Sequence, residues 1–292
     1  MPKTFITIGT FDGVHRGHKK LFTLLKHEAK KLDLSPLALV FQMPPKNILN
    51  NTLERSVLLD LKQKKELLKD IKTVYLDFNK IKNLSADSFF DVLIKKYKMG
   101  AIIVGKDFAF GKNRQGNIPF LRERCKQNNI QLFVIDFEEE GQSKISSSRL
   151  RAALRNGEIA ALNKMLGRPF SLEGKVIYGN QLGRKIGFPT ANLDIKKEQI
   201  LPRGVFAVLV YLGAKKYKGI CNIGLKPTVT INGLPTVEVF IFDFNKNIYG
   251  QIVRVEFVQK IRDEKRFNGL GELTKQINED CALAQKIISR IQ

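Results

Sequence analysis

At 292 residues the chain is long for one domain and comfortable as two, and a hydrophobic content of 43% excludes global disorder. No stretch approaches the roughly 20 apolar residues of a membrane-spanning helix, the N-terminal MPKTFITIGTFDG carries no apolar signal region, and Cys125, Cys221 and Cys281 form neither a CxxC pair nor an even disulfide set; a soluble cytoplasmic protein is expected. Fifty Lys and Arg against 28 Asp and Glu leave a net charge of +22, which predicts anionic partners such as nucleotides, phosphorylated small molecules, nucleic acid or acidic lipid.

Phe5–Ile8 reads as a short strand ending at Gly9, followed by a polar turn and an amphipathic helix over Leu21–Lys31. Leu37–Phe41 is a second strand. Glu54–Lys69 has helical spacing, with Val57, Leu58, Leu61 and Leu68 near one stripe and lysines elsewhere, as a solvated face requires. Val74–Leu76 is a third strand, and Ser85 is placed to cap a helix through Lys96 that buries Phe89, Val92 and Leu93. Ala101–Val104 and Leu132–Ile135 are further strands, separated by a helix over Ile118–Gln127. This alternation predicts a mostly parallel sheet covered by helices, with ligands at the carboxyl ends of the strands. From Phe170 the pattern changes: Leu172–Ile177, Val205–Leu212, Lys218–Asn222, Thr236–Phe242 and Ile252–Val258 are strands split by turn residues, and one long helix, Leu273–Ile288, follows. A small antiparallel barrel or sandwich is expected there. The boundary falls near Gly167–Pro169, giving domains 1–167 and 168–292.

Two segments carry chemistry. Gly9-Thr10-Phe11-Asp12-Gly13-Val14-His15-Arg16-Gly17-His18 joins the first strand to the first helix. A helix N-terminus there offers unpaired N–H groups and partial positive charge to a phosphate, and Gly9, Gly13 and Gly17 allow close approach of the backbone. His15 and His18, three apart, can converge on phosphate oxygens. A His-x-x-His metal site and a purely structural turn are the other readings of this segment, although no carboxylate or Cys cluster completes a metal site. Neither a Walker A pattern nor GxGxxG occurs. The second segment, Gly179 to Asn192, combines three glycines with Arg184 and Lys185, and suits a phosphate-cradling loop. In it the Thr190 hydroxyl and Asn192 carbonyl are hard oxygen donors that suit Mg²⁺; an ordinary Gly-rich β turn is the alternative. Glu238 sits in an apolar strand-like run, where a carboxylate is costly unless functional or ion-paired.

The first segment resembles the His-x-Gly-His motif of the nucleotidylyltransferase superfamily. With its Gly-x-Phe-Asp-Gly-Val flank it is similar to the bacterial bifunctional riboflavin kinase/FMN adenylyltransferases, or FAD synthetases. Gly105-Lys106-Asp107-Phe108-Ala109-Phe110-Gly111, with Arg114 and Gly116, resembles that family's second motif, and Ser146-Ser147-Ser148-Arg149-Leu150-Arg151 its Ser-Ser-x-x-x-Arg motif. Gly187-Phe188-Pro189-Thr190-Ala191-Asn192 resembles the riboflavin kinase signature; Pro202–Ala207, Asn222–Thr228, Glu238–Phe244, Tyr249-Gly250 and Arg262–Phe267 continue that pattern in order.

The resemblance implies an α/β protein: a Rossmann-like nucleotidylyltransferase domain with a parallel sheet, then a small antiparallel β-barrel with a terminal helix. It implies that ATP phosphorylates riboflavin to FMN in the C-terminal domain and adenylylates FMN to FAD in the N-terminal one. His15, His18 and Arg151 would act on the ATP phosphates, with Gly9, Thr10, Phe11, Gly17, Asp107, Ser146 and Ser147 in the same pocket. Gly183, Arg184 and Lys185 would bind ATP in the kinase, Thr190 and Asn192 would hold Mg²⁺, and Glu238 would accept the ribityl hydroxyl proton. The implied partners are small molecules, with no membrane and no nucleic acid, for a monomer or weak homo-oligomer. One departure stands out: the family often has Phe-x-Pro-His-Pro after its second strand, and Phe41-Gln42-Met43-Pro44-Pro45 lacks the histidine. A chain that keeps only the kinase activity is therefore one alternative. A basic nucleic-acid-binding protein is another, which no recognition motif supports.

Overall fold

The computed structural model describes residues 2–51, 56–136, 139–140, 143–225 and 235–291. The chain divides into two compact units, Met1–Ser147 and Ser148–Gln292.

In the first unit the elements run β1 (Thr4–Gly9), α1 (Arg16–Lys31), β2 (Ser35–Phe41), α2 (Pro45–Leu49), α3 (Leu61–Leu67), β3 (Thr73–Leu76), α4 (Ala86–Lys95), β4 (Met99–Gly105), α5 (Ile118–Gln127) and β5 (Gln131–Ile135), then the two-residue pair β6 (Glu139–Glu140) and β7 (Ser143–Lys144). The five long strands form a parallel sheet in the order β3-β2-β1-β4-β5. Strand order reverses between β1 and β4, so a crevice opens beyond their carboxyl ends. Phe5, Ile6, Leu39 and Ile102 are fully buried, as expected of parallel strands covered on both faces. Leu21, Phe22, Leu25 and Ala29 give α1 its buried stripe, while Lys19, Lys20, Lys26, Lys30 and Lys31 face water.

Two sequence expectations need correction here. The helix expected over Glu54–Lys69 begins only at Leu61; Glu54 and Arg55 lie outside the described residues. Val57, Leu58 and Leu59 are buried but not helical. The Asp12 carboxylate accepts the Leu58 N–H at 3.0 and 3.2 Å and the Leu59 N–H at 3.4 Å, so those amides are unavailable to a helix. Asp60 then starts α3 through a capping box with Gln63. On α4, capped by Ser85 as expected, Phe90 rather than Val92 is buried beside Phe89 and Leu93.

Helix α6 (Ser147–Asn156) starts on the last residue of the first unit, and the second unit continues with α7 (Ile159–Leu166), β8 (Ser171–Ile177), α8 (Leu182–Lys185), β9 (Thr190–Asp194), β10 (Gly204–Leu212), β11 (Lys215–Leu225), β12 (Pro235–Ile241), β13 (Ile252–Arg262) and α9 (Leu270–Ser289). Its strands close into an antiparallel barrel in the order β10-β11-β12-β9-β8-β13. The architecture is thus the barrel and not the sandwich. Phe206, Val208, Val210, Val239, Val255 and Phe257 are fully buried and alternate with an outward set. Of that set Val205, Ala207, Leu209 and Ile220 pack against Ala284, Ile287 and Ile288 of α9. A charged clamp reinforces this seam. Arg262 donates from Nε and Nη2 to both oxygens of Asp280 at 2.8–3.0 Å, with the Asp280 side chain 3% exposed.

Removing one member of a buried bidentate pair leaves the other charge uncompensated. Asp280→Ala is therefore expected to destabilise the second unit by roughly 3 kcal/mol, read as an earlier urea transition by circular dichroism.

Candidate active sites

In the first unit, the turn after β1 is held in an unusual backbone path. Phe11, Gly13 and Val14 have φ of 48°, 83° and 40°. A β-branched residue at positive φ is an outlier that persists only where its surroundings dictate it. Those surroundings are visible. The Asp12 side chain is buried on the Leu58 and Leu59 amides, and the Asp12 carbonyl accepts from Ser147 Oγ at 2.9 Å. Phe11 lies edge-on to His18, and a Cβ on Gly9 would meet the Phe11 ring at 3.0 Å.

His15 is the N-cap of α1. Its Nδ1 accepts the His18 N–H at 3.4 Å, which places the proton of the neutral ring on Nε2. The two imidazoles stack at 3.6 Å between centroids with 22° between planes. The two residues are 2% and 8% exposed. The pair is thus brought together at a helix N-terminus, with Gly17 buried in the first turn. No group of three or more His, Cys, Asp and Glu among the described residues could hold a metal ion, so the metal reading of His-x-x-His finds no further ligands there.

The other residues expected at this site are distributed unevenly. Thr10 lines a cavity of about 830 Å³ with Phe41, Pro45, Phe108, Phe110 and Arg114. Ser147 opens α6, Ser146 precedes it, and Arg151 stands one turn further along that helix. Asp107 is 72% exposed and paired with Lys144 at 2.7 Å. That hydrogen bond holds its carboxyl below the usual range. Sequence patterns missed Lys64, which is fully buried and donates to the carbonyls of Phe41 and Gln42 at 3.3 and 3.2 Å. Its place in a lysine-rich helical stretch hid it among solvated neighbours.

In the second unit, strand register builds the site. Ile177 pairs with Asn192, Asn192 with Glu238, Glu238 with Asn222, Asn222 with Val205, and Val205 with Arg262. One row thus crosses all six strands, and partners directly opposite in a sheet project to the same face. Thr190 pairs with Phe240, two residues along, and shares that face by the period of two. Thr190, Asn222, Glu238 and Arg262 line a cavity of about 220 Å³ with Leu273 and Ile277 of α9. The aliphatic end of α9 closes one side of a carboxylate-bearing pocket.

Glycines open the other side. A Cβ on Gly179 would strike the Asn192 side-chain amide, and one on Gly183 would strike the Phe188 carbonyl and lie 3.4 Å from Thr190 Oγ1. Only a bare backbone leaves room around these two oxygen-bearing side chains. Arg184 and Lys185 end α8 and are exposed. Beyond the Ile177 end of the row, Tyr178 and Tyr249 stack at 4.0 Å and 19°. Tyr178 is 72% exposed, and Ile177, Leu182 and Ile252 are exposed as well.

Residues 1–149 match the family model of FAD synthetase, and residues 166–288 that of riboflavin kinase. Relatives named bifunctional riboflavin kinase/FMN adenylyltransferase include that of Buchnera aphidicola subsp. Schizaphis graminum, 37% identical over 98% of this chain and 94% of its own. That of Bacillus subtilis is 34% identical over 99% and 94%, and that of Escherichia coli K12 is 35% identical over 96% and 91%. A solved structure described as a macrolide-efflux protein from Streptococcus pneumoniae superposes with a TM-score of 0.85 at 31% identity, covering 98% of this chain and 95% of that one. That name belongs to the neighbour; no helix among the described residues is long and apolar enough to cross a membrane. With both family models in order along one chain, and relatives of both activities matched over nearly its whole length, the chain belongs to the bifunctional riboflavin kinase/FMN adenylyltransferase family.

Proposed function

We propose that the chain makes FAD from riboflavin in two ATP-dependent steps, with residues 168–292 as the riboflavin kinase and residues 1–167 as the FMN adenylyltransferase. The observation that supports this reading is the row across the barrel, in which Glu238 pairs with Asn192 on one side and Asn222 on the other. In the kinase step Glu238 accepts the proton of the ribityl 5′-hydroxyl. The freed oxygen attacks the γ-phosphorus of ATP, and ADP leaves. A positioned carboxylate supplies roughly 10²–10⁴-fold to such a transfer. Thr190 and Asn192 present hard oxygen donors in space that two glycines keep clear, which fits Mg²⁺. Bound there, the ion would offset charge on the ATP phosphates. Gly183, Arg184 and Lys185 continue this phosphate-binding loop. The exposed Tyr178–Tyr249 stack lies just beyond Gly179 and receives the base of ATP.

In the adenylylation step a phosphate oxygen of FMN attacks the α-phosphorus of ATP and pyrophosphate leaves. No bond to the protein forms, so catalysis comes from positioning and charge neutralisation. His15, His18 and the amides of the first turn of α1 face the triphosphate, with Gly9, Phe11, Gly17, Ser146 and Ser147 shaping the pocket. Asp107, tied to Lys144, borders the pocket. The apolar rings and cations of the 830 Å³ cavity suit the isoalloxazine and phosphate of FMN. FMN from the kinase is the substrate of this second site. A cytoplasmic location fits such chemistry.

The direct test supplies purified protein with riboflavin, ATP and Mg²⁺ and follows products by chromatography. FMN should rise first and FAD after it; the absence of both would overturn the assignment. His18→Ala should lower FAD formation by roughly 100-fold, by analogy with loss of one oxyanion donor, and leave FMN formation intact. Glu238→Gln should slow riboflavin phosphorylation roughly 10²–10⁴-fold while supplied FMN is still converted to FAD. Tyr178→Ala should raise the KM for ATP in the kinase step alone by about fivefold to 100-fold, the worth of one base–aromatic stack, and Tyr178→Phe should restore it.

A further inference from the structure

Lys64 has no exposed surface. A buried ammonium is costly to desolvate, and an apolar residue of similar volume fits such a place at equal or better stability. Its position explains what the charge does there. α3, which carries Lys64, starts at the capping box of Asp60, directly after the Leu58 and Leu59 amides that hold the Asp12 carboxylate. From that helix Lys64 Nζ reaches the carbonyls of Phe41 and Gln42, at the carboxyl end of β2. Phe41 lines the 830 Å³ cavity, as do Pro44, Pro45 and Lys46 immediately beyond it. Burial lowers the lysine's pKa, and the negative charge of Asp12 works against that lowering. Asp12 in turn belongs to the strained turn that leads into His15 and His18.

Opposite charges therefore stand buried behind the ends of two neighbouring strands. Asp12 is part of the turn at the end of β1, and Lys64 grips the end of β2. These strands are adjacent and parallel, with Gly9 opposite Val40. Lys64 grips the first two residues of the run Phe41 to Pro45 through their main-chain carbonyls.

We propose that Lys64 is a positioning residue for adenylyl transfer, holding the Phe41–Gln42 main chain so that the cavity wall keeps its place relative to the triphosphate turn. The proposal rests on the reading of the first unit as an FMN adenylyltransferase. Lys64 touches no reacting atom; it acts through the carbonyls it binds. Displacing a substrate wall by about 1 Å can cost on the order of 10²-fold in rate, whereas a lysine needed only as packing would be replaceable by an apolar chain.

The test is Lys64→Met in the full-length protein, with Lys64→Arg beside it. Thermal unfolding, FMN formation from riboflavin, and FAD formation from supplied FMN are measured on each. Lys64→Met should unfold at or above the wild-type temperature and keep its kinase rate. Its kcat/KM for FMN in adenylylation should fall roughly 10- to 100-fold, more steeply than that for ATP, and Lys64→Arg should recover part of the loss. If Lys64→Met does not fold, the same comparison is made on Lys64→Leu, which likewise removes both donor and charge. Unchanged FMN kinetics in either folded variant, or failure of both to fold, would make Lys64 structural and overturn the proposal. A wild-type protein that forms no FAD from FMN and ATP would instead overturn the adenylyltransferase reading, and the role of Lys64 with it.

Discussion

The first unit depends on a carboxylate that cannot reach water. Asp12 is 1% exposed, and a buried anion persists only where donors surround it. The Leu58 and Leu59 amides meet that demand from a loop 46 and 47 residues away. Their capture ends any helix before Asp60, fixes where α3 begins, and so decides where Lys64 points. On the other side of Asp12, positive φ at Phe11, Gly13 and Val14 turns the chain sharply enough for His15 to cap α1. Strain in that turn and burial of its charge are one arrangement: the backbone path is costly alone and is held by the contacts Asp12 makes.

The second unit reaches a similar end through regular structure. A closed barrel has no free edge, so each strand's register is fixed by two neighbours. Side chains far apart in the chain, from Ile177 to Arg262, then fall into one row without any strained residue among them. The Arg262–Asp280 clamp brings α9 over that row, and its aliphatic residues convert a sheet surface into a pocket. The resulting site is built from side chains on strands, which suits a reaction that needs a base at a defined point. The first site is built from a turn and a helix end, which suits one that needs charge neutralised over several phosphate oxygens.

Much of this was legible in the sequence because it is local. Apolar runs of four or five residues marked β1, β2 and β4; helical spacing and Ser85 marked α4; and the hard oxygen donors of Thr190 and Asn192 stood out in the Gly-rich segment, although not the strand that carries them. The motif resemblance supplied the family, which the relatives bear out along nearly the full chain. Charge was less informative: the same lysine content that coats α1 with solvated side chains hid the buried Lys64 in α3.

What the sequence determined by itself was therefore most of the long strands and helices, the change from alternating to β-rich pattern, and the family, since these follow from short-range periodicity and contiguous motifs. Tertiary structure alone decided barrel over sandwich, the interruption at residues 57–59, the stacking of His15 on His18, and the alignment of Asn192, Glu238 and Asn222. Apart from the His15–His18 stack, which joins residues three apart at the start of α1, each of these is a pairing between segments distant in the chain. Such pairings are chosen by which buried polar groups find partners and which strands close on each other, quantities that exist only once the chain is folded.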